Sequence, residues 1–208
     1  MALEDIFSNL HLLVRWIHVI AGITWIGLLY FFNFVNIPLQ GALDDAAKKA
    51  VNPQLMPRAL WWFRWGAMFT FLAGLGLFVM NYMYTPGQGF GPTALFTEPE
   101  GGMTGRAAWI LMGMFFGTLM WFNVWFIIWP AQKKILSGQA GDALAALRKK
   151  AGGASKMNTV LSGPMLFGML GAPHYGAANP LSLIVAIILG IAVIKGAYAI
   201  STKVGKSV

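Results

Sequence analysis

Residues 11–36 read HLLVRWIHVIAGITWIGLLYFFNFVN, an apolar run long enough to cross a bilayer, yet it contains two of the three histidines and an arginine. Lipid offers no hydrogen bonds, so the backbone of such a run must satisfy itself, and a helix within a bundle is the outcome. At 100° per residue His11, Arg15, His18, Gly22, Trp25, Asn33 and Asn36 fall within about 40° of one line along that helix. An ionisable group inside a span costs roughly 2.5 kcal/mol or more, so this stripe is expected to face protein rather than lipid.

Four further apolar runs follow, and the spans are expected near residues 10–37, 59–84, 106–130, 157–172 and 180–201. The fold class is therefore an all-α integral membrane bundle of about five transmembrane helices, forming a single domain over residues 1–208. The fourth run is the shortest and contains Pro164, so a four-span arrangement with a re-entrant fourth segment is the competing topology. Charge placement decides between them. Lys48, Lys49 and Arg58 follow the first span; Lys133, Lys134, Arg148, Lys149, Lys150 and Lys156 follow the third; Lys203 and Lys206 follow the last. The connection 85–105 has no lysine or arginine before its end and carries Glu98 and Glu100. Five spans with the N-terminus outside and the C-terminus inside put both basic loops and the tail on the cytoplasmic side, whereas four would place the basic tail outside. The acidic start MALEDIFSNL lacks the features of a cleavable signal.

Hydrophobic residues make up 57% of the chain and charged residues 11%, which fits a lipid bilayer as solvent. The net charge of +8 belongs to the inner loops and tail, so it implies membrane topology and no nucleic acid. The segment GDALAALRKKAGG in the loop 131–156 has the spacing of a short amphipathic helix lying at the headgroups. With no cysteine there is no disulfide, no thiolate metal site and no Cys-x-x-Cys-His attachment, so any haem would be held non-covalently.

Gly66, Thr70 and Gly74 in the second span, and Gly113 and Gly117 in the third, form small-xxx-small surfaces that either bring helices together or leave room for a flat cofactor. Trp61, Trp62 and Trp65 near Arg64, together with Trp125 and Trp129, fit an inner aromatic belt. His18 lies about 10 Å deeper than His11 on the same face. Its imidazole fits an axial ligand of haem iron, Gly22 would leave room for the ring edge, and Arg15 could pair with a propionate. Equally, His18 could hydrogen-bond a neighbouring helix while Arg15 reaches the headgroups. His174, just after the fourth run, is either an exposed loop residue or, with a short fourth helix, close to His18.

LLVRWIHVIAGITWIGLLYFFNFVN resembles the first helix of the membrane domain of bacterial membrane-bound urate hydroxylases, the urate oxidase N-terminal family, in which Arg-Trp-x-His-Val leads to Trp-x-Gly. ALWWFRWGAMFTFLAGLGLFVMNYMY, WFNVWFIIWPAQKKILSGQAGDA and SGPMLFGMLGAPHYG are similar to later blocks of that family, in the same order, over residues 12–175. The matching positions are Arg15, His18, Trp25, Trp65, Asn123, Pro130, Gln132, Pro164, His174 and Tyr175. Members usually carry more helices and a cytochrome c domain, so a short form lacking that domain would need a separate cytochrome c. Gly66 replaces an acidic residue of the family pattern, Met157, Asn158 and Thr159 stand where it has His-Asn-Asn, and a Gly-rich, His-containing segment is missing. These departures count against urate chemistry.

The first helix also resembles that of bacterial membrane protoporphyrinogen oxidase, which uses a first-helix histidine for haem. Together the resemblances imply haem b, with His18 the leading iron ligand, His174 or His11 the second, and Arg15, Gly22 and Trp25 around the ring. The implied function is an oxidoreductase of the bacterial inner membrane that passes electrons to a separate cytochrome or respiratory complex. The alternative is a non-catalytic subunit of a larger respiratory complex, packed through its Gly-rich faces.

Overall fold

The computed structural model describes residues 5–205; Glu4 and Lys206, used in the topology argument above, lie outside the described residues. Five long helices make up the bundle. Helix α1 (Ile6–Ala42), α2 (Asp45–Met83), α3 (Gly105–Leu136) and α5 (Pro180–Ser201) are each long and apolar enough to cross a membrane. Helix α4 (Leu144–His174) packs between α3 and α5. The chain is a multi-pass, all-α membrane bundle.

Four of the five long helices start on a side-chain cap. The Asp5 and Asp44 carboxylates accept from Ser8 N (2.9 Å) and Ala47 N (2.7 Å), and Thr104 Oγ1 accepts from Ala107 N (3.0 Å). Helix α5 opens on an Asn179–Ser182 capping box followed by Pro180. Between α2 and α3, strands β1 (Tyr84–Thr85) and β2 (Gly89–Phe90) form a small hairpin in the register Tyr84↔Phe90, and Gly87 supplies the positive φ its turn needs.

Two departures from the sequence expectations concern α4. It runs unbroken for 31 residues, about 46 Å of rise, rather than the short segment 157–172. The residues 144–153 expected to lie flat at the headgroups form its first turns, because Leu-Ala-Ala-Leu-Arg-Lys-Lys-Ala favours helix and no proline intervenes before Pro164. Pro164 is accommodated where α5 comes closest: a Cβ on Gly190 would lie 2.6 Å from Pro164 N.

Neighbouring helices run antiparallel. His11 pairs with Asn81 and His18 with Thr70 across α1–α2, while Asn123 meets Asn158 and Trp109 meets Ala177 at opposite ends of the α3–α4 pair. The described N-terminus and the 84–104 connection therefore share one end of the bundle, and the α1–α2 and α3–α4 turns share the other with Lys203.

The seams inside each pair are dry and close. On Gly66 a Cβ would stand 3.2 Å from Trp25 N and 3.3 Å from Ala21 O; on Gly113 it would stand 3.0 Å from Met169 N. The α1–α2 pair and the α3–α4 pair meet through a core of Trp25, Leu29, Phe32, Phe63, Met120 and Val124 towards the end that holds the α1–α2 and α3–α4 turns. Beyond that core the two pairs separate.

Candidate functional site

The separation leaves an apolar cavity of about 560 Å³ between the pairs. His18, Gly22, Trp25 and Tyr30 of α1 and Thr70, Phe71 and Gly74 of α2 form one wall; Met114 and Gly117 of α3 and Met165 and Met169 of α4 form the other. Val19 and Ile23 of α1 and Leu166 and Leu170 of α4 line it while remaining exposed, so it opens sideways towards lipid between these two helices.

His18 is fixed on the first wall by a feature of α2. Its Nδ1 lies 2.8 Å from the Thr70 carbonyl, an acceptor only, so Nδ1 carries the proton and Nε2 keeps its lone pair. Gly74 is the seat for the ring: a Cβ there would stand 3.0 Å from Cε1 and 3.2 Å from Nδ1. The same small-xxx-small stripe thus serves two ends, closing the helix crossing at Gly66 and making room for an imidazole at Gly74. Gly22 lies beside Thr70, with Cγ2 3.8 Å from its would-be Cβ, and Gly117 leaves space below Met165 and Met169 on the far wall.

Of the other residues expected from the sequence, Trp25 is 2% exposed and lines the cavity, with its indole Nε1 buried and without a hydrogen-bond partner. Arg15 and His11 lie nearer the N-terminal end of α1 and do not line the cavity. His11 Nε2 is 3.1 Å from Asn81 Oδ1 and 3.4 Å from the Arg15 guanidinium. Asn81 Nδ2 donates to Leu77 O, which fixes Oδ1 as the acceptor, so His11 donates to Asn81 and the arginine contact is close approach rather than a second bond. His174 sits exposed at the end of the full-length α4 and is not part of the cavity lining. The short fourth helix that would have sunk it next to His18 does not exist. Among the described residues no three His, Cys, Asp or Glu side chains converge as a metal cluster.

A family model described as urate oxidase N-terminal matches residues 4–90 and 97–206. The chain belongs to that family. No curated protein and no solved structure matches it. The family match reaches through α5, beyond the four blocks whose likeness is visible by eye.

In this urate oxidase N-terminal chain the α-helical repeat of α1 ends at Tyr30, where a π-helical turn runs over Phe31–Asn36. Asn33 and Asn36 are buried against protein, as the stripe requires, Asn36 beside Met56 of α2 and Asn33 towards α4 and α5. There Asn33 Nδ2 donates to Ser155 Oγ (2.8 Å), its Oδ1 accepts from the Tyr198 hydroxyl, and Tyr30 OH pairs with Ser162 Oγ (2.9 Å). Asn123, in a second π turn, donates to Asn158 Oδ1 (2.8 Å), whose amide donates to Met120 O (2.9 Å). Asn158, Thr159 and Ser162 are completely buried. Their grouping in an apolar span was the sequence signal for this network. The three cavity methionines had no such signal, because methionine in a span reads as packing.

Proposed function

We propose that this protein is a b-type haem protein of the bacterial inner membrane, with its N-terminus outside and its C-terminus inside, passing electrons to a separate cytochrome c or respiratory-complex subunit. One observation carries the reading: an imidazole locked by a backbone carbonyl, with its other nitrogen free, on the wall of an apolar slot between two helix pairs. Metal-binding histidines typically donate their second nitrogen to such an oxygen, which sets the tautomer and raises the basicity of the ligating atom. The donor is neutral, so no formal charge is placed in the low-dielectric interior.

The residues present fit the group. Gly22 and Gly117 add no side chain to the slot, Gly74 seats the His18 ring, and the methionine, leucine and aromatic lining excludes water. Trp25 closes the inner side. The Arg15 guanidinium is exposed about one turn above His18, where a propionate leaving the slot could meet it. Haem iron, once bound, supplies one-electron transfer; the chain's part is to hold the ring, fix the ligand tautomer and keep water out.

The test is a visible spectrum of the purified protein, oxidised and dithionite-reduced. A Soret band that shifts on reduction, and is lost or altered in His18→Ala, is expected. Colourless protein that co-purifies stoichiometrically with a respiratory complex would instead favour the non-catalytic subunit.

A further inference from the structure

The slot has two walls, and iron bound to His18 on one would face the other. The far wall contains no histidine, cysteine or lysine; its lone pairs are the thioethers of Met114, Met165 and Met169 and the hydroxyl of Thr118. Helix registration separates the methionines. The Asn33–Ser155 hydrogen bond joins α1 and α4 through two short side chains, so it marks a common depth. Equal numbers of residues outward from it lead to Val19 on α1 and to Met169 on α4, a rise of about 21 Å on each helix. Met169 therefore stands at the level of His18, across the slot. Met165 lies a turn further in and is packed into the core beside Trp25. The Met169 methyl would lie 4.0 Å from a Cβ on Gly117, an ordinary contact distance, and its side chain is partly buried against the same core; its unbranched arm has the rotatable bonds to turn into the slot.

We propose that Met169 is the second axial ligand, opposite His18. This deepens the haem reading and rests on it. It also specifies the function: a thioether and an imidazole together close the iron to substrate and oxygen, leaving outer-sphere electron transfer, and methionine ligation raises the reduction potential relative to a lone histidine. The protein would accept electrons readily and hand them only to a high-potential partner. His174, exposed and off the slot, has no part in this coordination.

The experiment uses the haem-loaded full chain in lipid nanodiscs. In the wild type, near-infrared magnetic circular dichroism of the ferric form should show the charge-transfer signature of histidine–thioether ligation, a readout that needs no variant to fold. In Met169→Leu the Soret band should remain, the ferric spectrum should change from low to high spin, carbon monoxide should bind the ferrous form where it did not before, and the reduction potential should fall. Met103→Leu, exposed on the 84–104 connection and off the slot, should change none of these. A high-spin wild type, a bis-histidine signature, or a low-spin Met169→Leu spectrum would overturn the methionine assignment while leaving haem in place. A wild type without a Soret band would overturn the haem reading itself, and this proposal with it.

Discussion

The seams within the helix pairs and the slot between the pairs are both built from glycine, and they do opposite things. At Gly66, Gly113 and Gly168 the missing side chain lets one backbone touch another; at Gly74 it seats the His18 ring, and at Gly22 and Gly117 it leaves neighbouring side chains no nearer than ordinary contact. In lipid, where apolar association gains little from leaving the solvent, close backbone contact is a main source of helix affinity. The pairs are held by their seams, which permits the region between them to remain open. The lesson is that a small-residue stripe does not announce its role by spacing: Gly66 and Gly74 lie on one stripe of α2 and serve the two different ends.

The largest effect that should separate these roles is Gly168→Ala. Its Cβ would meet Trp109 O at 2.7 Å and the Gly113 backbone closer still, so α3 and α4 must part. A loss of about 3 kcal/mol is expected, at the upper end for overpacking, measured by reversible unfolding in mixed micelles. An unchanged stability would show that the seam is not the source of pair affinity. Next is Asn158→Ala, which leaves the Asn123 amide only the Met157 sulfur and removes the bond to Met120 O; about 1 kcal/mol should be lost in the same assay, given the modest values measured for hydrogen bonds inside membranes.

Gly74→Ala sharpens the comparison, because the new methyl presses a side chain and not a backbone. The fold should lose less than about 1 kcal/mol. The His18 ring, however, must shift by about a few tenths of an ångström against the Thr70 carbonyl that holds it, so the Soret band should broaden or move. Gly22→Ala should leave stability unchanged, since its methyl would meet only Thr70 Cγ2 at an ordinary 3.8 Å. If Gly22→Ala destabilised as much as Gly168→Ala, the distinction between seam and slot would fail.

The smallest effect lies outside the spans. The hydrogen bonds from Ser8 hold the Asp5 carboxyl below its usual value of 3.8, with the side-chain contribution the largest. A lowered folded value means the cap is fully present above that pH and is lost as pH falls through the folded value. Amide exchange of residues 6–9, corrected for intrinsic rates, should accelerate over that acidic window in the wild type and show no such step in Asp5→Ala.

The number of helices, their alternation and the imidazole in α1 were all legible in the sequence, because a span must be long and apolar and because charge stays on one side. The extent of α4 was not. Hydropathy sees only its apolar half, whereas the helix continues through Lys149, Lys150 and Gly153 without a stop signal. The π turn of α1 beyond Tyr30 was hidden for a different reason: it adds a residue without any mark in composition, so a 100° projection foretells that Asn33 meets protein but not that its partners are Ser155 and Tyr198. The far wall was hidden because Met114, Met165 and Met169 acquire meaning only from what they face.

In the proposed function the open slot is a haem site held from α1. The most direct measurement is the pyridine-haemochrome content per chain of the wild type, His18→Ala and His11→Ala, each purified from cells supplied with haem precursor. One haem b per chain is expected in the wild type and in His11→Ala, whose imidazole is turned to Asn81, with little or none in His18→Ala. Equal haem in all three, or haem in none, would contradict it.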